Sequence, residues 1–160
     1  MSISDRKPRQ METAPAEQGT VSEAVSVRVE TTYGAAKKFI AAGLEGFNRE
    51  HMQGRSPKAF AATANVDGSV RGGLMAEAIG EWMHISLLWV DERFRRSGLG
   101  TALLKRAETE ARSRGARGVL VDTFSFQAPA FYKMHGYFAY GQIEDCPEAG
   151  MTWFRFRKVL

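Results

Sequence analysis

One stretch constrains the fold more than any other: residues 87–104 combine an apolar strand, a charged turn with two glycines and the start of an apolar-striped helix. About four backbone N–H groups at a helix start lack an intrahelical acceptor, and the helix dipole adds roughly half a positive charge there. Gly98 and Gly100 permit positive φ angles and close approach of a ligand oxygen. Arg95 and Arg96 add charge beside the turn. The stretch therefore predicts a phosphate site.

Spacing excludes two common phosphate-binding loops. A P-loop would require Gly-Lys followed by Ser or Thr, whereas Gly100 is followed by Thr101 and Ala102. A dinucleotide-binding fingerprint would require a small residue three positions after the second glycine, where Leu103 stands. The pattern that remains is Arg-x-x-Gly-x-Gly between a strand and a helix.

The composition is typical of one globular domain. The chain has 160 residues, of which 44% are hydrophobic and 25% charged, which is enough for a single core. Residues 1–22 mix prolines and charges with scattered apolar side chains, so we predict a disordered tail there and one domain over residues 23–160. We find no signal-peptide centre and no apolar run long enough to span a membrane. The single cysteine, Cys146, cannot form an internal disulfide and agrees with a cytoplasmic location.

The net charge of +4 and the pI near 9.4 favour anionic partners. The 22 basic residues are dispersed, and their densest group lies beside the glycine turn, which suits a polyanionic cofactor as well as RNA. Aromatic and basic side chains alternate in residues 151–158. That alternation occurs in single-stranded nucleic-acid sites, but a strand with one packed face produces it too, and we favour the strand. The sequence therefore disfavours a nucleic-acid partner.

Hydrophobic periodicity and turn residues predict the order of elements. Asp67-Gly68 is the strongest turn signal and predicts a hairpin. In chain order we predict a strand at Val25–Glu30, a helix from Tyr33 to about Phe47, a loop at Asn48–Pro57, strands at Lys58–Ala64, Val70–Ile79 and Trp82–Val90, the glycine turn and its helix, a parallel strand around Val119–Val121, a short helix from Ala128 to Gly136, and a closing hairpin of Tyr137–Ile143 and Met151–Val159.

The helix after the glycine turn has a predicted inner face and a predicted outer face. Leu103, Leu104, Ala107 and Ala111 fall on one side at helical spacing. Two i,i+4 ion pairs are predicted on the other side, Glu108 with Arg112 and Glu110 with Arg114. Gly115 suits the end of the helix.

A second motif follows the parallel strand. Residues 125–137 read Ser-Phe-Gln-Ala-Pro-Ala-Phe-Tyr-Lys-Met-His-Gly-Tyr, which is similar to the Asn-x-x-Ala-x-x-Leu-Tyr-x-x-x-Gly-Phe motif of the GNAT superfamily of N-acetyltransferases. The departures are Ser125 for Asn, Phe131 for Leu and Tyr137 for Phe. Arg-x-x-Gly-x-Gly resembles the coenzyme A pyrophosphate loop of the same family, and the element order from about Val25 to Leu160 resembles the GNAT order.

The resemblance implies an α/β fold and an activity. The expected GNAT fold has a mixed central sheet of about six to seven strands, antiparallel in its N-terminal part and parallel after the glycine turn, flanked by helices. The expected reaction transfers an acetyl group from acetyl-CoA to a primary amine of a small molecule or peptide by direct attack, without a metal. Many relatives are homodimers, and the sequence leaves both the oligomeric state and the acceptor amine open.

The resemblance also implies which residues contact acetyl-CoA. The expected contacts are Leu88, Trp89, Val90, Arg95, Arg96, Ser97, Gly98, Leu99, Gly100, Thr101, Ser125 and Ala128. Backbone N–H groups near Leu88 and Val90 would bind the thioester and the pantetheine arm, which requires this strand to separate from the next one, often at a bulge. Ser125 keeps a hydrogen-bonding group but has a shorter reach than Asn.

Two side chains are expected to transfer protons. Tyr132 matches the tyrosine that protonates the leaving thiolate in the family, and a tyrosine pKa of about 10 keeps the proton available at neutral pH. His84 is the candidate base, with a structural histidine as the equal alternative. Glu77 and Glu81 are rival bases acting through water. A covalent route through Cys146 is disfavoured, because neighbouring carboxylates would raise the pKa of a thiol.

Two alternatives from other functional classes stay open at this point. The first is a catalytically weak GNAT-fold module that binds acetyl-CoA or a partner protein. The second is an RNA-binding protein, whose affinity would fall steeply with salt and would not respond to coenzyme A.

Overall fold

The computed structural model of the chain describes residues 26–32, 34–52 and 58–160. It divides into two compact units, Met1–Ile40 and Ala41–Leu160. In the first unit, residues 26–30 form neither helix nor strand, so the strand predicted at Val25–Glu30 is wrong for its described part. Alternating apolar side chains indicate only which face of a strand would be buried if a strand formed. Here Val27 and Val29, the residues of that face, are 91% and 95% exposed. The tail predicted at residues 1–22 lies outside the described residues.

Helix α1 (Gly34–His51) confirms the first predicted helix and extends it by one turn. Its last turn is stabilised by His51, whose ring stacks on Phe47 and whose Nδ1 lies 3.1 Å from the Phe47 carbonyl. Residues 48–51 of the predicted loop therefore belong to the helix, and its residues 53–57 lie outside the described residues. None of the helices in the described ranges is long and apolar enough to cross a membrane.

The second unit is built on one mixed sheet. Its strands are β1 (Ala59–Val66), β2 (Ser69–Ile79), β3 (Trp82–Val90), β4 (Gly118–Phe124), β5 (Phe138–Glu144) and β6 (Thr152–Val159). They lie in the order β1-β2-β3-β4-β6-β5. Only β3 and β4 pair in parallel, and every other neighbouring pair is antiparallel. The mixed α/β sheet expected from the sequence is confirmed.

Helix α2 (Leu99–Ser113) covers one face of this sheet. All four predicted apolar positions of α2 are buried, and they pack with Leu74, Met83, Ile85, Val119 and Phe156 of the central strands. The φ of +75° at Gly115 confirms the predicted glycine at the helix end. Between β4 and β5 the chain forms helix α3 (Pro129–Met134), which begins with the proline of the second motif.

Glu108 overturns one sequence prediction. It was expected to pair with Arg112 on the outer face of α2, but it is only 6% exposed, and its two carboxylate oxygens accept hydrogen bonds from Lys158 Nζ at 2.8 and 2.9 Å. A buried carboxylate needs a charged or hydrogen-bonded partner, and β6 supplies one that helical spacing could not indicate. The second predicted pair is confirmed, since Arg114 Nη2 lies 2.7 Å from Glu110 Oε1.

Candidate active site

The central sheet opens between its two parallel strands. Strands β3 and β4 pair only over Trp82–Ile85 and Gly118–Val121. Beyond these residues β3 continues beside β2 and β4 continues beside β6, so the two strands have no bond to each other. The gap leads into a cleft of about 880 Å³ that is lined by both strands, the glycine turn and α3. The strand separation that the family resemblance requires is therefore present.

A bulge in β3 sets the direction of its end. Leu87 pairs with Met75 and Ile85 with Ala76, so Ser86 is the extra residue. Asp91 N–H donates to Arg71 O of β2 at 2.8 Å. Because antiparallel strands alternate between bonded and non-bonded pairs, the N–H groups of Leu88 and Val90 point away from β2, toward the gap.

The glycine turn leaves the start of α2 open. Gly98 has a φ of +92° and no side chain to cap the helix, and the first intrahelical bond runs from Ala102 N–H to Gly98 O at 2.9 Å. The N–H groups of residues 99–101 therefore precede the first helical bond and face outward from the helix start. Arg96 adopts a φ of +63°, an uncommon conformation for a residue with a Cβ. The local geometry suits an anion at this helix start.

A short 3₁₀-helix, Glu92–Phe94, connects β3 to the glycine turn. Asp91 holds it, because its carboxylate accepts bonds from Arg93 N at 3.1 Å and from Arg93 Nη2 at 3.0 Å. The hydrogen bond from Arg93 lowers the pKa of the Asp91 carboxyl below its usual value. Asp91 thus stays ionised and fixes the approach to the turn.

Most of the sequence-predicted cofactor contacts line the cleft. The residues that do so are Leu88, Trp89, Val90, Arg95, Arg96, Gly98, Gly100, Thr101 and Ala128. Ser97, Leu99 and Ser125 are not among the lining residues. Ser125 binds β6 instead: its N–H donates to Thr152 O at 2.8 Å, and its Oγ accepts from Thr152 N–H at 3.0 Å.

Tyr132 lies on α3 and lines the cleft. It is 6% exposed and packs edge to face against Phe131 and Tyr137, with ring centroids 5.3 and 5.7 Å apart. Burial raises the pKa of Tyr132 to about 12, because the phenolate would lose its hydration. The hydroxyl therefore keeps its proton throughout the physiological pH range.

His84 contacts Asp122, a residue of the cleft wall. Its Nε2 lies 3.3 Å from Asp122 Oδ2, and Asp122 lines the cleft whereas His84 does not. Arg155 Nε lies 3.7 Å from the other oxygen of Asp122. Of the rival bases, Glu77 is the β2 residue that pairs with His84. Glu81 lies in the turn before β3, with Arg117 Nη1 at 3.3 Å. Glu81 is thus at the end of β3 that is remote from the cleft.

Sequence reasoning missed the contribution of His135. Its Nδ1 lies 2.8 Å from the Phe131 carbonyl and therefore donates, which leaves Nε2 to accept from the Thr101 hydroxyl at 3.1 Å. This contact joins the end of α3 to the start of α2. The cleft also includes Asp122, Phe126, Gln127 and Met134. Most of these residues lie inside or beside the second motif, so its spacing was a signal for them.

The described residues contain no group of three His, Cys, Asp or Glu side chains that could hold a metal. Cys146 follows β5 in the loop before β6, and it is not among the residues that line the cleft.

Comparison with known proteins identifies the family. Residues 30–137 match the acetyltransferase (GNAT) family. A blasticidin-S acetyltransferase from Streptomyces morookaense is 41% identical over 98 residues, which are 60% of this chain and 72% of that protein. A crystal structure of an acetyltransferase from Bacillus cereus superimposes with a TM-score of 0.71 at 33% identity, covering 84% of this chain and 98% of the other.

An aminoglycoside 6′-N-acetyltransferase solved with coenzyme A shares the fold, with a TM-score of 0.58 at 18% identity over 70% of this chain and 77% of that one. The family match covers most of the chain, including the glycine turn and the second motif. This chain therefore belongs to the GNAT family of acetyltransferases.

Proposed function

We propose that the protein transfers the acetyl group of acetyl-CoA to a primary amine of a small molecule or peptide. The observation that carries this proposal is the gap between β3 and β4, into which the N–H groups of Leu88 and Val90 point. Unpaired backbone donors in a cleft can bind a carbonyl oxygen and stabilise the negative charge that develops on it during attack.

The glycine turn is proposed to hold the pyrophosphate. Arg95, Arg96 and the open start of α2 all border the cleft, and together they offer directional donors and positive charge. The acyl arm would then extend between β3 and β4 toward Tyr132. Acetyl-CoA supplies the activated acyl group, and the protein aligns it with the amine.

Proton transfer is assigned to two sites. When the amine nitrogen bonds to the acyl carbon and the carbon–sulfur bond breaks, Tyr132 gives its proton to the departing sulfur. The proton lost by the amine passes to His84 through Asp122, which lines the cleft and contacts the imidazole. Asp122 also orients the imidazole, because it lies next to Nε2.

The relative from Streptomyces morookaense is named for blasticidin S, so we propose that compound as the first acceptor to test, followed by a panel of antibiotic amines, polyamines and peptide N-termini. The cleft has aromatic walls at Trp89 and Phe126, which are 56% and 60% exposed. Exposed aromatic surface in a cleft is typical of a site that covers an apolar part of a ligand.

Two measurements test the proposal in sequence. Acetyl-CoA should raise the melting temperature, because a ligand that binds only the native state stabilises it, and Arg95→Glu should abolish that rise by placing a carboxylate beside phosphate. Thiol release should then appear with at least one amine of the panel. Absence of acetyl-CoA binding would exclude the enzyme assignment. Binding without thiol release for any amine would instead favour a cofactor-binding module.

A further inference from the structure

The turn that links β4 to α3 is locked by Gln127. Its backbone N–H donates to Phe124 O at 2.9 Å, and its side-chain Oε1 accepts from Phe124 N–H at 2.9 Å. The Thr123 hydroxyl is a second donor to the same Oε1, at 3.2 Å. Both polar groups of the Phe124 backbone are thus satisfied by one residue.

The position of this amide follows from the register of β4. Ser125 N–H points to β6, where it donates to Thr152 O. Because successive N–H groups of a strand alternate in direction, Phe124 N–H points to the opposite side, into the gap beside β3. Gln127 covers that N–H, so its amide lies on the β4 wall of the cleft.

The two donors to Oε1 also fix the orientation of the amide. Because two donors bond to Oε1, the oxygen side of the Gln127 amide faces the turn. The Nε2 group then points away from the turn and has two protons to donate. Within the turn, the backbone N–H and the Oε1 atom of Gln127 are both hydrogen-bonded. In the part of the chain that the structure describes, its Nε2 group has no hydrogen-bond acceptor. Gln127 thus offers hydrogen-bond donors at the cleft.

We propose that Gln127 Nε2 donates a hydrogen bond to an amide carbonyl of the pantetheine arm from the β4 wall, facing the backbone donors of Leu88 and Val90 on the β3 wall. The inference rests on the proposed use of acetyl-CoA. It also accounts for Ser125, whose hydroxyl is already bonded to Thr152 and does not line the cleft. An arm held from both walls would be aligned along the gap, which is the geometry that the acyl transfer needs.

The main test uses Gln127→Glu, which keeps an oxygen to accept from Phe124 and Thr123 but replaces the donor nitrogen with a second oxygen. The dissociation constant of acetyl-CoA should rise about tenfold, since a hydrogen bond is lost and a carbonyl faces an acceptor. The dissociation constant of adenosine 3′,5′-bisphosphate, which has no pantetheine arm, should stay within about twofold. Gln142→Glu on the exposed face of β5 is the matched control for added charge.

The outcomes separate the two proposals. If the wild-type protein does not bind acetyl-CoA, the proposed function fails before Gln127 is tested. If the wild-type protein and Gln127→Glu bind acetyl-CoA equally well, Gln127 only stabilises the turn and does not contact the ligand. Equal weakening of both ligands would assign the effect to charge and would also overturn the inference.

A measurement on the wild-type protein covers the case in which the variant does not fold. The side-chain NH₂ signal of Gln127, assigned by NMR, should shift on titration with acetyl-CoA and stay in place on titration with adenosine 3′,5′-bisphosphate. A signal that does not move with acetyl-CoA at saturation would contradict the proposed contact.

Discussion

At the scale of single residues, burial gives Tyr132 a chemistry that its sequence motif does not specify. The phenol is held among aromatic rings, and its pKa is raised to about 12. Such a group is a weak acid in the resting protein. In the proposed reaction it gives up its proton only as the carbon–sulfur bond breaks and negative charge develops on the departing sulfur. The motif indicated the residue, whereas the structure indicates why it stays protonated.

We expect Tyr132→Phe to lower the turnover of thiol release by about a hundredfold, because loss of a positioned acid typically costs that much. The dissociation constant of acetyl-CoA should change by less than about twofold, since the ring that packs in the core is kept. Steady-state kinetics and calorimetry measure the two quantities. Full turnover in the variant would remove Tyr132 from the reaction.

At the scale of elements, the junction of β3 and β4 depends on a residue without a side chain. A Cβ at Gly118 would overlap the Trp82 ring and would lie 2.5 Å from the Lys158 carbonyl oxygen. Gly118→Ala should therefore lower the free energy of unfolding by about 1 to 3 kcal/mol. Gly46→Ala in α1, where a Cβ would meet nothing within 4 Å, is the control and should stabilise slightly. Urea unfolding that ranks the two variants equally would contradict the packing.

The contact between α2 and β6 is the second feature at this scale. Lys158→Met leaves the Glu108 carboxylate buried without its partner, so it should cost about 3 kcal/mol in urea unfolding. The double variant with Glu108→Leu removes both charges and should recover most of that loss. If the single and double variants were equally unstable, packing of the Lys158 side chain would be the cause rather than its charge.

Elements differ in how far local sequence determines them. Strand β3, the glycine turn and the inner face of α2 were predictable, because their periodicity and turn residues agree with their final surroundings. The structure of residues 26–30 was not predictable in this way, and neither was the partner of Glu108. Both depend on contacts between residues distant in sequence. The same limit applies to the cleft, where Ser125 matches a motif position but binds β6, while Gln127 two residues later lines the wall.

At the scale of the whole molecule, the buried tyrosines make stability sensitive to alkali. The pKa of Tyr132 is raised to about 12 in the folded state, above the value of about 10 expected in the unfolded chain, and burial raises the pKa of Tyr137 as well. The stabilising contribution is therefore complete below about pH 10 and is lost as the pH rises through about 12.

For Tyr132 that loss amounts to about 2 to 3 kcal/mol. About half of it, roughly 1.4 kcal/mol, is lost between pH 8 and pH 11, and urea unfolding at the two pH values measures this difference. Tyr132→Phe, which has no titrating hydroxyl at this position, should lose less stability between the two pH values. Equal losses in the variant and the wild type would show that another group dominates alkaline unfolding.

The separation of β3 from β4 also predicts how deuterium enters the strand. In β3, the amides of Leu87 and Trp89 bond to β2, whereas those of Leu88 and Val90 face the gap. Adjacent amides of one strand should therefore exchange at very different rates, alternating slow and fast, while the amides of residues 82–85, where β3 has a neighbour on both sides, should be uniformly slow. Acetyl-CoA should slow the fast set selectively. Exchange measured residue by residue would thus identify β3 as a strand whose one edge is hydrogen-bonded to β2 and whose other edge has N–H groups available to a ligand.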